Sequence, residues 1–213
     1  MASPADKSRR RGRRQGGSVS RDDVLGAARR RFADQGYAKT TLRQVAEDAG
    51  VDPSMVLYLF GSKDGLFRES MRLILDPQKL VRAIGEGPAA EVGTRLVRTY
   101  LQIWDDPETG PSMSTMLASA TSNADAHEAF RGFMREYVLT AVTGALGGGA
   151  DTALRATLAA TNLVGTAMLR YVMRVGPLAE VSSEDVVRMI APSVQRYLTA
   201  DIDDLGVPEA YRP

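Results

Sequence analysis

Residues 41–60 constrain this chain more than any other stretch. Thr41 and Gln44 stand three positions apart, the spacing at which a hydroxyl and a side-chain amide cap each other's backbone amides at a helix start. Leu42, Val45, Ala46 and Ala49 then recur on one helical face, and Gly50 follows where a helix can exit through positive φ. Only Val51 separates that exit from Asp52, a good N-cap, and Pro53, whose missing amide is no loss at a first helical position. The pattern predicts a helix over 41–49, a tight turn and a second helix over 53–59. Helices this short bury too little apolar surface to stand alone, so flanking elements must support them.

Those supports are legible on both sides. Val24, Leu25, Ala28 and Phe32 predict a helix over 21–35 that Gly36 stops. Ser62 as N-cap and Asp64 in the first turn open a helix over 63–76 carrying Leu66, Phe67, Met71, Ile74 and Leu75, with Pro77 marking the break. Further helices are expected near 77–84, 88–105, 111–121, 125–146, 150–175 and 183–200. No segment alternates like a strand for long enough to compete, so the fold class is all-α. The chain divides into a disordered basic arm at 1–20, a helix-turn-helix unit at 21–76, a larger helical unit at 77–200 and an acidic, frayed tail at 201–213.

Charge separates these units. The net charge is only +1, yet residues 1–75 carry 15 Lys/Arg against 9 Asp/Glu, and residues 76–213 carry 12 against 17. Six of the basic residues (Lys7, Arg9, Arg10, Arg11, Arg13 and Arg14) fall before position 15, in a segment with almost no apolar side chains to offset ordering entropy. A basic first third on an acidic remainder suggests a nucleic-acid-facing module on a body with another task.

Several chemistries are excluded. With no cysteine there is no disulfide scaffold, thiolate metal site or cysteine nucleophile, and with a single histidine, His127, there is no two-imidazole site. Asp105–Asp106 and Asp203–Asp204 are adjacent pairs in or beside turns, where successive side chains diverge. Gly147–Gly149 lacks the lysine and preceding strand of a phosphate loop. We expect no enzyme activity, no cofactor and no metal. No apolar run approaches the ~18–20 residues of a membrane span, and no secretion signal follows the basic N-terminus, so a cytoplasmic protein is expected.

A short helix set across another by a tight turn is the layout in which the second helix enters the major groove of double-stranded DNA. Val56 and Phe60 have the spacing to face the core, leaving Pro53, Ser54, Met55, Leu57 and Tyr58 outward. Ser54 can donate to a phosphate or a base edge, whereas Met55 and Leu57 offer only apolar contact, for example with a thymine methyl. So weakly polar a helix shifts the burden of affinity to phosphate contacts from Thr40, Thr41, Arg43, Tyr58 and Lys63, with specificity partly drawn from DNA shape. Gln44 either reaches the groove or only caps its helix. The arginines at 9–14 suit an arm lying in the adjacent minor groove, or a solubilising tail.

Residues 24–67 resemble the DNA-binding domain of the TetR family of bacterial transcriptional repressors. The resemblance rests on Ala28–Phe32, the Gly36–Tyr37 exit, Thr40–Thr41, Val45–Ala46, Ala49–Gly50–Val51, Tyr58, Phe60, Ser62–Lys63 and Leu66. The chain departs from the family pattern at Ser54, Leu57 and Leu59, where glycine, tyrosine and histidine are frequent. The resemblance implies a larger helical effector-binding and dimerisation domain, and it marks Thr41, Tyr58 and Lys63 as phosphate contacts. It also implies a homodimer whose last two long helices pair across the two-fold axis. Leu154, Leu158, Thr161, Gly165, Leu169 and Val172 on one helix, with Val187, Ile190 and Val194 on the other, are the candidate interface. A two-fold protein calls for a palindromic operator. A small apolar or amphipathic effector is expected among Trp104, Met113, Met116, Phe130, Phe133, Met134 and Met168, oriented by His127, Asn162 and Tyr171. Helix 63–76 is then expected to be the only continuous element joining the DNA side to the body. The competing reading is a helical dimeric interaction protein without specific DNA binding, or a regulator without an effector.

Overall fold

The computed structural model describes residues 20–149 and 151–212. Eleven α-helices make up nearly all the regular structure, and no strand occurs among the described residues. They are α1 (Arg21–Lys39), α2 (Leu42–Ala49), α3 (Pro53–Phe60), α4 (Lys63–Ile74), α5 (Pro77–Gly85), α6 (Val92–Asp105), α7 (Gly110–Ser122), α8 (Ala124–Phe133), α9 (Thr140–Ala145), α10 (Thr152–Ala167) and α11 (Ser183–Thr199). An N-terminal helix-turn-helix domain is joined to a larger helical domain, and none of the described helices is long and apolar enough to cross a membrane. The arginine arm at 9–14 lies outside the described residues.

The local signals act as read. Thr41 and Gln44 form a full capping box, Gly50 takes the left-handed conformation at φ 69°, and Asp52 caps α3 with Pro53 in its first turn. The helix over 21–35 runs further than expected. Gly36 breaks it at φ 74° and ψ 176°, and one more turn reaches Lys39. That turn is held from inside: Tyr37 is buried, and the Thr40 hydroxyl donates to the Gly36 carbonyl at 2.9 Å.

The small domain packs around Phe32, Tyr37 and Phe67. Phe67 meets both other rings edge-on at 5.0 and 5.1 Å. Arg31 clamps α1 to α2 by two bonds to Asp48, at 2.5 and 2.7 Å, and Arg21 ties the start of α1 to Glu69 of α4 at 3.1 Å.

In the larger domain α11 packs along α6, and α10 lies against α11. Two helices are continued by π turns. Met134–Leu139 joins α8 to α9, and Met168–Val172 extends α10. Residues 201–212 are packed rather than frayed as expected. Val207 is buried, a short 3-10 turn covers Glu209–Tyr211, and Arg212 bonds to Asp203 at 2.6 Å and to the Val207 carbonyl at 3.1 Å.

The domains meet at more than α4. α1 packs against α7, and the Tyr37 amide donates to the Ser119 hydroxyl at 3.3 Å. The expectation of a single connecting helix is therefore corrected: the C-terminal turn of α1 is a second bridge, because the Gly36 break turns Tyr37 into the interior.

Candidate nucleic-acid interface and effector cavity

α3 is a short helix anchored by one side. Val56 is fully buried, Leu59 and Phe60 are half-buried, and the Arg21 guanidinium sits 4.9 Å from the Phe60 ring centroid. The opposite face is open: Met55 is 47%, Leu57 51% and Tyr58 85% exposed. Large apolar side chains left this open, on a helix whose register its cap and Val56 fix, are a surface awaiting a partner. Pro53 and Ser54 are exposed beside them, and the Ser54 amide is taken up by Asp52 at 2.8 Å.

The flanking residues divide. Thr41 and Arg43 are exposed. Gln44 is half-buried, and its Oε1 accepts from the Thr41 amide at 2.9 Å, so its carbonyl serves the cap. Thr40 is corrected: it is 1% exposed, and the hydroxyl expected to meet a phosphate instead faces Gly36. Lys63 is half-buried, with Nζ 4.1 Å from the Tyr37 ring centroid, an attractive cation–π geometry. Burial pulls its pKa below the usual lysine range, against the opposing pull of Asp125 and Asp64. Burial and a bond to Asp64 push the Tyr37 hydroxyl up, so it stays neutral. Lys39 is exposed at the end of α1, in the turn beyond the helix end expected at Gly36.

A cavity of about 40 Å³ lies where the end of α4 meets the larger domain, walled by Leu75, Leu80, Tyr100, Trp104, Met113, Leu117, Phe130, Met134, Val138, Ala160, Leu163 and Val164. Trp104, Met113, Phe130 and Met134 were expected there. Met116 and Phe133 are not among its walls. Both are fully buried but face other packing, since a helix turns by about 100° per residue. His127 is exposed on α8, and Met168 is half-buried away from the cavity. Asn162 Nδ2 donates to the Leu158 carbonyl at 3.2 Å. Tyr171 stacks on Trp104 at 5.2 Å and donates to Asp105 at 2.8 Å, on an outer cleft rather than the cavity. Tyr100 and Leu163 were missed because their apolar spacing reads equally as ordinary core.

Of the candidate interface residues, Thr161, Gly165 and Leu169 are exposed, while Leu154, Leu158, Val172 and Ile190 are half-buried. Val187 and Val194 are corrected: at 2% and 0% exposure they belong to the inward face of α11, the helix that packs along α6. Met173 and Met189, 61% and 59% exposed, stand open instead.

Among the described residues no group of three or more His, Cys, Asp or Glu gathers to hold a metal. An anchored helix with an open apolar face, borne by a small helical domain on a larger cavity-bearing one, defines a helix-turn-helix regulator. A family model described as bacterial regulatory proteins, tetR family, matches residues 24–70, and one described as tetracyclin repressor-like, C-terminal domain, matches residues 90–198. The chain belongs to the TetR family of bacterial transcriptional regulators.

Its fold is similar to that of a TetR-family regulator from Streptomyces coelicolor A3, with 38% identity, 88% of this chain and 98% of that one covered, and a TM-score of 0.64. The fatty acid degradation regulator FadR from Bacillus halodurans shares the fold at 20% identity and a TM-score of 0.57, covering 84% of this chain and 98% of that one. The HTH-type transcriptional regulator BetI 1 of Chromohalobacter salexigens is 28% identical over 104 residues, 40% of this chain and 52% of its own length. The chain spans only about half the length of such curated relatives.

Proposed function

We propose that this protein is a cytoplasmic, non-enzymatic repressor that binds a palindromic operator as a homodimer and is released by a small apolar or amphipathic molecule. The open face of α3, with Tyr58 at 85% exposure beside Met55 and Leu57, carries the reading. α3 lies in the major groove, with Pro53, Ser54, Met55 and Leu57 toward base edges and Thr41, Arg43, Tyr58, Lys63 and Lys39 toward phosphates. The domain division falls near residue 76, between the end of α4 and Pro77 at the start of α5. Two subunits meet through α10, the π turn that extends it, and α11, where Thr161, Gly165, Leu169, Met173 and Met189 leave small and apolar side chains exposed. The apolar cavity of about 40 Å³ is the effector site.

Selection of bound sequences from random double-stranded DNA by the full chain tests this. A palindrome with half-sites one helical turn (about 34–36 Å) apart, or a multiple of that, is the expected outcome. Binding that enriches no sequence would leave a helical interaction protein rather than a specific regulator.

A further inference from the structure

Two hydrogen-bonding side chains, Tyr100 and Trp104, stand among the otherwise hydrocarbon and thioether walls of the cavity. Trp104 is 4% exposed, and its indole Nε1 is a buried donor that makes no well-formed hydrogen bond among the described residues, although it lies close enough to the Tyr100 hydroxyl to pull that group's pKa down against the larger effect of burial. Such orphans are rare, because burying an N–H without an acceptor forfeits its bond to water. The rest of the indole is well placed. Tyr171 stacks on one face at 5.2 Å, and Tyr100 tilts against it at 6.0 Å. Trp104 also borders an outer cleft, but that cleft is open to solvent, whereas Nε1 is sealed off. Trp104 and Tyr100, the two hydrogen-bonding side chains of the cavity wall, thus stand next to each other.

No charged side chain lines the cavity. A charged ligand group would lose its hydration there with no counter-ion, at a cost far above one hydrogen bond. At about 40 Å³ the space exceeds a single water but not a six-membered ring, so a ligand enters by displacing side chains. Met113 and Met134 have the flexibility for that.

Accepting the cavity as the effector site, we infer that the effector is an uncharged apolar molecule bearing one hydrogen-bond acceptor, a carbonyl, ether or hydroxyl oxygen, and that this atom docks on Trp104 Nε1. The indole selects the effector by its acceptor, and the apolar walls exclude acids and ammonium ions.

The chain contains a single tryptophan, so its fluorescence and its one indole N–H resonance report this site directly. The full-length protein is titrated with acetophenone, ethylbenzene and benzoate, which share a ring and differ in acceptor and charge. Acetophenone should bind about five- to tenfold tighter than ethylbenzene, the value of one net hydrogen bond, and should move the indole N–H resonance downfield. Ethylbenzene should bind without that movement, and benzoate should not bind. Trp104→Phe should make acetophenone and ethylbenzene equal. If that variant does not fold, the resonance in the wild-type protein decides. Equal affinity of the two neutral compounds with an unmoved resonance would overturn the anchor and leave the cavity standing. Benzoate binding as tightly as acetophenone would overturn the uncharged class. Failure of both neutral compounds to bind would overturn the inference together with the effector reading beneath it.

Discussion

The Lys63 ammonium rests 4.1 Å from the centroid of the Tyr37 ring, and the Tyr37 backbone amide donates to Ser119 in the larger domain. A proposed phosphate contact is thus seated on a residue that also touches the body of the protein. Lys63→Ala should weaken binding to operator and non-operator DNA by similar factors and reduce the salt slope by about one. Anisotropy titrations at several salt concentrations would read this out. Selective loss of operator binding at an unchanged slope would remove Lys63 from the phosphate contacts.

The depressed pKa of Lys63 gives that contact a pH signature. Burial lowers it, so in free protein the side chain deprotonates at lower pH than an ordinary lysine. A nearby phosphate restores the charge, so binding in the alkaline range should take up a proton. Affinity should fall as pH rises through the free protein's depressed value, and Lys63→Arg, charged throughout, should flatten the decline. Asp125, at the start of α8, pulls the Lys63 pKa upward as an opposing charge. Asp125→Asn should therefore strengthen DNA binding modestly by removing repulsion of the phosphates.

The helix-turn-helix was legible because its signals are local. Thr41 with Gln44, Gly50, and Asp52 with Pro53 each satisfy or release backbone groups within a few residues, and each does so in the structure. Thr40 was illegible for the converse reason. It is chemically the same as Thr41, but the Gly36 break, a tertiary matter, turns it inward. An apolar stripe also does not name its partner. Val187 and Val194 fit a subunit interface as well as they fit α6, and only the assembled fold assigns them to the protomer. The cavity was half-legible. Met113 and Met116 lie on one helix, but the side that stays unfilled depends on how α6, α8 and α10 meet around it. The π turn at Met134–Leu139 shifts that register without a sequence signal.

Gly36 and Ser119 test the second bridge between the domains. At φ 74° and ψ 176° Gly36 occupies a region that side chains avoid, and an added Cβ would lie 3.0 Å from the Ser119 hydroxyl. Gly36→Ala should destabilise the protein by about 1–3 kcal/mol, most of it conformational. Adding Ser119→Ala should recover at most the smaller steric part, because it also removes the acceptor of the Tyr37 amide. Thermal unfolding of both variants would separate the contributions, and full recovery would mean that the backbone is not strained there.

Glu69 joins three elements: it accepts from Arg21 of α1 at 3.1 Å and from Tyr137 of the π turn at 2.8 Å, while sitting on α4. Burial raises its pKa, but the hydrogen bonds from Tyr137 and Arg21 and the charges of Arg21 and Arg72 prevail, and it ends below the usual glutamate value. A carboxylate lowered in the folded state contributes stability above its unfolded pKa, and that contribution is lost as pH falls through the folded value. Acidification from pH 6 to 3 should therefore lower the melting temperature less in Glu69→Gln than in wild type. Tyr137→Phe should cost about 1.5 kcal/mol at neutral pH by removing a bond to a charged acceptor.

The same Tyr137 lies on a path of contacts from the cavity to α4. Met134 and Val138 wall the cavity, Tyr137 lies between them in the same π turn, and its hydroxyl reaches Glu69 on α4, which begins at Lys63. If cavity occupancy and DNA binding are linked through this turn, the linkage must act in both directions. Operator DNA added to effector-free protein should then alter Trp104 emission, although Trp104 sits in the larger domain and is the chain's one tryptophan. Tyr137→Phe should keep operator affinity within about twofold, since Tyr137 is not among the proposed DNA contacts, yet lose most of that spectral response, a coupling of about 1–3 kcal/mol being typical of such systems. An unchanged response in Tyr137→Phe would send the coupling through Ser119 and Tyr37 instead. An operator that leaves wild-type Trp104 emission untouched would disconnect the cavity from DNA altogether.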